Sequence, residues 1–111
     1  MDRTKVVGVT YENRQEVIKD INEMVDTLVA EREPENPFDP NAIAIYVLKH
    51  NGQKKSIGYI NRGLAQNLSP RIDAGEELII YDYFLTGSNQ SGMNMGVIFE
   101  YNLENEDSKA Q

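Results

Sequence analysis

An amide, a ring and a carboxylate stand close together at Asn36, Phe38 and Asp39, inside the run EREPENPFDPNAIAIYV that spans residues 31–47. The prolines of that run each fix φ near about −65° and disfavour helix in the residue before them, so Glu33, Asn36 and Asp39 are pushed towards extended conformations. A loop this stiff needs little further ordering to hold a ligand. Asp39-Pro40-Asn41 also reads as a turn device, because Asp and Asn side chains bond nearby backbone N–H groups and fix a bend. That reading is strongest for Asn41, which enters an apolar strand. Phe38 is either a plug over the core or a stacking surface. Glu31, Glu33, Glu35 and Asp39 could together offer oxygen ligands to a hard cation, but the spacing matches no calcium loop, and surface solvation is the preferred account.

Enzyme signatures are missing from the rest of the chain. The sequence holds no Walker-type phosphate loop, no GxSxG and no HExxH. His50 is the single histidine and sits in the polar run KHNGQKK, where it reads as an exposed turn residue. The chain has no cysteine, which excludes disulfides, a thiolate zinc site and a cysteine nucleophile, and fits a reducing compartment. No cofactor is implied. Six tyrosines are the remaining resource. Tyr11 and Tyr59 fall near the same end of the expected sheet, whereas Tyr46, Tyr81, Tyr83 and Tyr101 read as sheet faces and core edges. Aromatic platforms with a few cations are what single-stranded nucleic acid requires, each stacked base contributing about 1–3 kcal/mol.

These side chains must be positioned by a small fold. The 111 residues suit one domain, and 40% hydrophobic content suits a folded one. The net charge of −7 argues against a general nucleic-acid-coating protein. Its distribution is uneven. Residues 42–75 carry five cations against one acid, while residues 12–39 carry nine acids against three cations and residues 76–111 seven against one. The apolar run near the N-terminus is too short for a signal peptide or a membrane span, so the chain reads as soluble and cytoplasmic, with no membrane partner.

Alternation predicts a strand over 4–11. Asn13 with Glu16 resembles a capping box, which predicts a helix over 14–23 that presents Val17, Ile18, Ile21 and Met24 or Val25. A second strand follows over 26–32, then the proline-rich loop over 33–41. A strong strand at 42–48 joins Lys55–Ile60 through the hairpin signal Asn51-Gly52. Asn61 can cap a second helix carrying Leu64, Ala65 and Leu68. Ser69-Pro70 is expected to interrupt that helix and restart a last turn, which Gly75 ends. Strands over 76–86 and 93–103 flank a flexible GSNQSG loop at 87–92, and Val97, Phe99, Tyr101 and Leu103 share one face. The domain is expected over 1–103, and 104–111 as a disordered acidic tail. The fold class is mainly β with two short helices (α+β), ordered β-α-β-β-β-α-β-β, a small curled sheet or partly open β-barrel.

The run REPENPFDPNAIAIYV, the later KKSIGYINRGLAQNLSPRID and the opening VVGVTYENRQ together resemble the HIRAN domain, over about residues 5–85. That family occurs as an N-terminal module of helicase-like DNA repair ATPases and as small free-standing bacterial proteins. The resemblance implies an OB-like barrel with two helices. It also implies capture of the 3′ end of single-stranded DNA, with aromatic rings stacking on terminal bases, an acidic residue on the 3′ hydroxyl and basic side chains on phosphates. Carried onto this chain, Tyr11 matches a stacking tyrosine, and Asn36 and Asp39 match a polar pair around the terminal nucleotide. Phe38 matches an aromatic that is tyrosine elsewhere, and Tyr59 and Arg62 match positions that contact the nucleic-acid backbone. Thr10 stands where DNA-binding members have an arginine and Glu12 where they have a second tyrosine, which implies weak affinity. The leading expectation is a non-enzymatic module for single-stranded DNA ends. The others are a protein-interaction module on the same fold and a metal-dependent enzyme using the acidic loop.

Overall fold

Six strands and two helices follow one another as β1 (Asp2–Lys5), α1 (Arg14–Lys19), β2 (Thr27–Arg32), β3 (Ile43–Leu48), β4 (Lys54–Tyr59), α2 (Arg62–Asp73), β5 (Glu77–Gly87) and β6 (Met95–Glu104), in a computed structural model that describes residues 1–87 and 93–105. This is the expected order. The strands form two antiparallel three-stranded sheets, β1-β6-β5 and β2-β3-β4. A bridge between Val7 and Tyr59 ties the chain beyond β1 to β4, and β2 lies beside β5. The result is a partly open barrel. Apart from Gly87, Glu104 and Asn105, the loop expected at 87–92 and the tail expected at 104–111 lie outside the described residues.

One core fills the space between the sheets. Ile43, Ile45 and Val47 of β3 and Val97, Phe99 and Tyr101 of β6 are buried in it, with Ile57 of β4 and Ile18 of α1. The period-two pattern of β3 and β6 directs these residues inward. Phe99 and Tyr101 pack with ring centroids 5.8 Å apart. The register between β3 and β4 slips beside Ile45, which leaves Ile57 without an opposite residue. Such a bulge bends a strand and re-aims the side chains beyond it, and Tyr59 lies two residues on. Gly58 has φ +144°, and a Cβ there would lie 2.3 Å from the Val7 carbonyl oxygen. Only glycine lets the two chains approach so closely.

The hairpin between β3 and β4 turns at Asn51-Gly52, where Asn51 Oδ1 accepts from Gln53 N–H. Asn61 caps α2, its Oδ1 accepting from Leu64 N–H at 2.9 Å.

Local reading failed at three places. The strand expected over 4–11 stops at Lys5; Gly8, at φ +74°, and Glu12, at φ +55°, turn the chain instead. Tyr11 therefore sits in a turn. The helix expected over 14–23 ends at Lys19, and Asn13 makes no side-chain cap. Asp26 draws the chain away from helix by accepting from Asn22 N–H at 2.8 Å. Met24 and Val25 are consequently exposed rather than packed on a helix face. Lastly, α2 runs through Ser69-Pro70 without interruption. Ser69 is buried and donates from Oγ to Asn41 Oδ1, which anchors that turn. Pro70 and Gln66 both face solvent, so water can satisfy the carbonyl that the proline leaves unpaired.

Candidate nucleic-acid interface

The proline-rich loop closes on itself before it meets any other element. Glu33 N–H donates to the Ala42 carbonyl, Asn36 N–H to the Glu33 carbonyl and Ala42 N–H to the Asp39 carbonyl. Asn36 Oδ1 accepts from the N–H groups of Phe38 and Asp39, and Asp39 Oδ1 accepts from Asn41 N–H. Turns of this kind, made by Asn and Asp side chains, fix the backbone without a secondary-structure ladder. They hold Phe38 outward, 86% exposed, so it is a projecting ring and not a plug.

Glu33 ties the loop to the barrel. Its carboxylate accepts from Tyr59 Oη at 2.8 Å, from Asn36 Nδ2 at 3.0 Å and, more loosely, from Tyr46 Oη at 3.5 Å. Burial, with the Glu33 carboxylate beside them, pushes both tyrosine hydroxyls above their ordinary pKa. At the far side of the loop, Arg62 Nε lies 3.8 Å from Asp39 Oδ2. The Arg62 side chain is 71% exposed, whereas that of Asp39 is mostly covered.

Tyr11, Asn36, Phe38, Asp39, Tyr59 and Arg62 all line a single cleft of about 1240 Å³. Tyr11 is 68% exposed and faces solvent like Phe38, while Tyr59 is half-buried in the floor. The cleft can therefore offer two open rings, a carboxylate oxygen and a guanidinium. Asn36 has both its side-chain groups bonded within the loop, which makes it an organiser of the site. Among the described residues no three carboxylate or imidazole side chains come together to hold a metal ion. Of the acidic loop, Glu31 is paired with Lys54 and Glu33 is held by Tyr59 and Asn36. Among the described residues no helix is long and apolar enough to cross a membrane.

Glu33 and Arg14 carry more of this site than sequence reasoning assigned them. Arg14 also lines the cleft, donates from Nη1 to the Gly8 carbonyl at 2.7 Å and stacks its guanidinium 5.4 Å from the Tyr59 ring centroid. No local pattern marks it, because its partners are set by the turn at Gly8 and by β4. Glu33 carried a signal in preceding Pro34, which announces an extended residue beside the loop but not its contacts.

No curated protein sequence matches the chain significantly. Two solved structures resemble it. A crystal structure of a protein from Lactobacillus plantarum is 24% identical, aligns over 94% of this chain and 93% of its own, and gives a TM-score of 0.62. The crystal structure of the HIRAN domain of human HLTF is 23% identical, aligns over 98% of this chain and 79% of its own, and gives a TM-score of 0.52. At these identities both likenesses are likenesses of fold. The family model of the HIRAN domain matches residues 2–101, nearly the whole chain, and the chain belongs to the HIRAN domain family.

Proposed function

We propose that this protein is a binding module, not an enzyme, that takes the 3′-hydroxyl end of single-stranded DNA into the cleft with weak affinity. The observation that carries the reading is the pair of exposed rings, Tyr11 and Phe38, on a cleft that also holds Asp39 and Arg62. Solvent-facing aromatic rings are stacking platforms for splayed bases. The 3.8 Å between Arg62 and Asp39 exceeds a hydrogen bond, so Asp39 Oδ2 keeps accepting capacity for a hydroxyl. A 3′ phosphate would meet that carboxylate as a like charge. Arg62 is exposed enough to reach a phosphate between nucleotides. Membership of a family linked in general to DNA binding supports the same reading.

Fluorescence anisotropy with a short 5′-labelled oligonucleotide tests it. The free 3′ hydroxyl should bind about tenfold or more tighter than a 3′ phosphate, as one hydrogen bond to a charged group implies. Asp39→Ala should erase that preference. Equal binding of the two ends by the unaltered protein, or no binding at low salt, refutes the proposal.

A second reading, a protein-interaction module, draws on the carboxylates Glu12, Glu35 and Asp39 that line the same cleft beside its arginines. A specific protein captured by the chain but not by a Phe38→Ala, Tyr11→Ala variant, with no oligonucleotide bound, favours it.

A further inference from the structure

Arg14 is a mostly covered cation with one donor unmet. Its side chain is 11% exposed. One of its N–H groups bonds the Gly8 carbonyl, while Nε is buried with no partner. Its nearest carboxylate is Glu12, whose Oε2 lies 3.9 Å from Nη2, beyond hydrogen-bond reach. Burying a guanidinium is unfavourable unless its donors are met, and structures rarely leave such a group underused without a reason. The planar fork of arginine suits a phosphate, which can take two of its donors at once.

Glu12 is unusual in its own right. It has φ +55°, the one non-glycine residue with positive φ among those described, and its side chain is 76% exposed on the cleft lining. A glutamate gains nothing from a left-handed backbone, and strain of this kind concentrates at binding sites. The turn holds a carboxylate loosely against the cation whose Nε is unmet.

Resting on the DNA-binding reading, we propose that Arg14, backed by Tyr59, forms a phosphate subsite on the inner wall of the cleft, and that Glu12 occupies it as a competing anion in the free protein. A bound strand places one phosphate on Arg14 and moves the already exposed Glu12 carboxylate away from it. Arg62 then serves the phosphate nearer the terminal nucleotide. The ordinary account of Glu12, a residue that merely weakens binding by its charge, predicts neither the unmet Nε of Arg14 nor the strained backbone.

Two variants of Glu12 test this without altering Arg14 itself. By anisotropy with the 5′-labelled oligonucleotide, Glu12→Gln should bind roughly two- to fivefold tighter than the unaltered protein, the range of an exposed ion pair. Glu12→Gly should bind at least as tightly and also melt at a higher temperature, since glycine relieves the strain. Arg14→Gln should make the slope of log K against log salt shallower by about 0.7, one phosphate contact. Unchanged affinity in Glu12→Gln, or an unchanged salt slope in Arg14→Gln, overturns the subsite while leaving end binding intact. If no oligonucleotide binds any variant, the DNA reading falls, and inorganic phosphate decides for the subsite. A shift of the Arg14 Nε–H resonance with phosphate but not chloride, larger in Glu12→Gln, upholds it; no shift overturns it.

Discussion

Glu33 accepts from Tyr59, Asn36 and Tyr46, so it joins β4, β3 and the proline-rich loop at one carboxylate. Removing the shortest of these bonds isolates its contribution. Tyr59→Phe keeps the ring under Arg14 and removes the donor. Stability should fall by about 1–2 kcal/mol in urea denaturation, the net worth of a hydrogen bond to a charged acceptor in a half-buried place. Phe38→Ala makes the opposite test. With 86% of the residue exposed, its loss should leave stability within about 0.5 kcal/mol, yet oligonucleotide binding should weaken by about 1–3 kcal/mol if the ring stacks on a base. A stability loss without a binding loss would make Phe38 a packing residue. At this scale the sequence was informative where a residue acts through its immediate neighbours. The turn at Asp39 could be read from Asp, Pro and Asn alone, whereas Asn36, expected beside the ligand, proved to fix a turn of its own. The bonds made by Glu33 and Arg14 could not, because their partners are brought in from β4 and from the turn at Gly8.

The bulge in β4 is the element that brings those partners in. Ile57 has no opposite residue, and Gly58 lets the chain pass under Val7, which exchanges backbone bonds of 2.8 and 3.0 Å with Tyr59. Gly58→Ala would set a Cβ 2.3 Å from the Val7 oxygen and 2.7 Å from Val6 Cγ1, on a backbone with φ +144°. It should lower stability by about 1–3 kcal/mol from the backbone alone, measured by the denaturation midpoint. A neutral result would mean that β4 can shift without disturbing the seam. The order of elements and the faces of β3 and β6 were legible because period-two alternation and the Asn51-Gly52 turn are local signals. Three boundaries were not: one was moved by a contact between distant parts of the chain, the other two by side-chain bonds four and six residues apart. Asp26 captures Asn22 N–H and shortens α1. Ser69 buries itself against Asn41 and carries α2 through Pro70. The turn at Gly8 is held by the Arg14 bond to its carbonyl, which ends the first extended run.

The molecule as a whole carries 18 acids and 11 Lys and Arg residues, and much of its electrostatic order lies away from the cleft. Asp26 has a fully covered side chain and accepts from Lys49 Nζ at 2.6 Å, from Asn22 N–H and, at 3.3 Å, from His50 N–H. The Lys49 bond, followed by the Asn22 bond, holds the Asp26 pKa below the ordinary carboxylate value. Asp73 is lowered by Arg32 and Glu76 by Arg71. A group that titrates lower when folded binds fewer protons in the native than in the unfolded chain, so its stabilising effect is present above the unfolded pKa and is lost as pH falls through the folded one. Tyrosines act at the other end. Burial raises Tyr83 to about 12, and its hydroxyl donates to the Asp26 carbonyl at 2.6 Å. An acid that keeps its proton when folded stabilises below its unfolded pKa and ceases to as pH rises through the folded value. Unfolding free energy should therefore hold a plateau between about pH 5 and 9 and decline on both sides. Asp26→Asn should be less stable than the unaltered protein at neutral pH, because it leaves Lys49 covered without its closest anion. The difference between the two should narrow as pH drops below about 4, where the unfolded carboxylate takes up a proton while the folded one still resists it. Denaturation curves taken across that range decide it. A gap that stays constant down to low pH would mean that Asp26 contributes by packing and neutral hydrogen bonds alone.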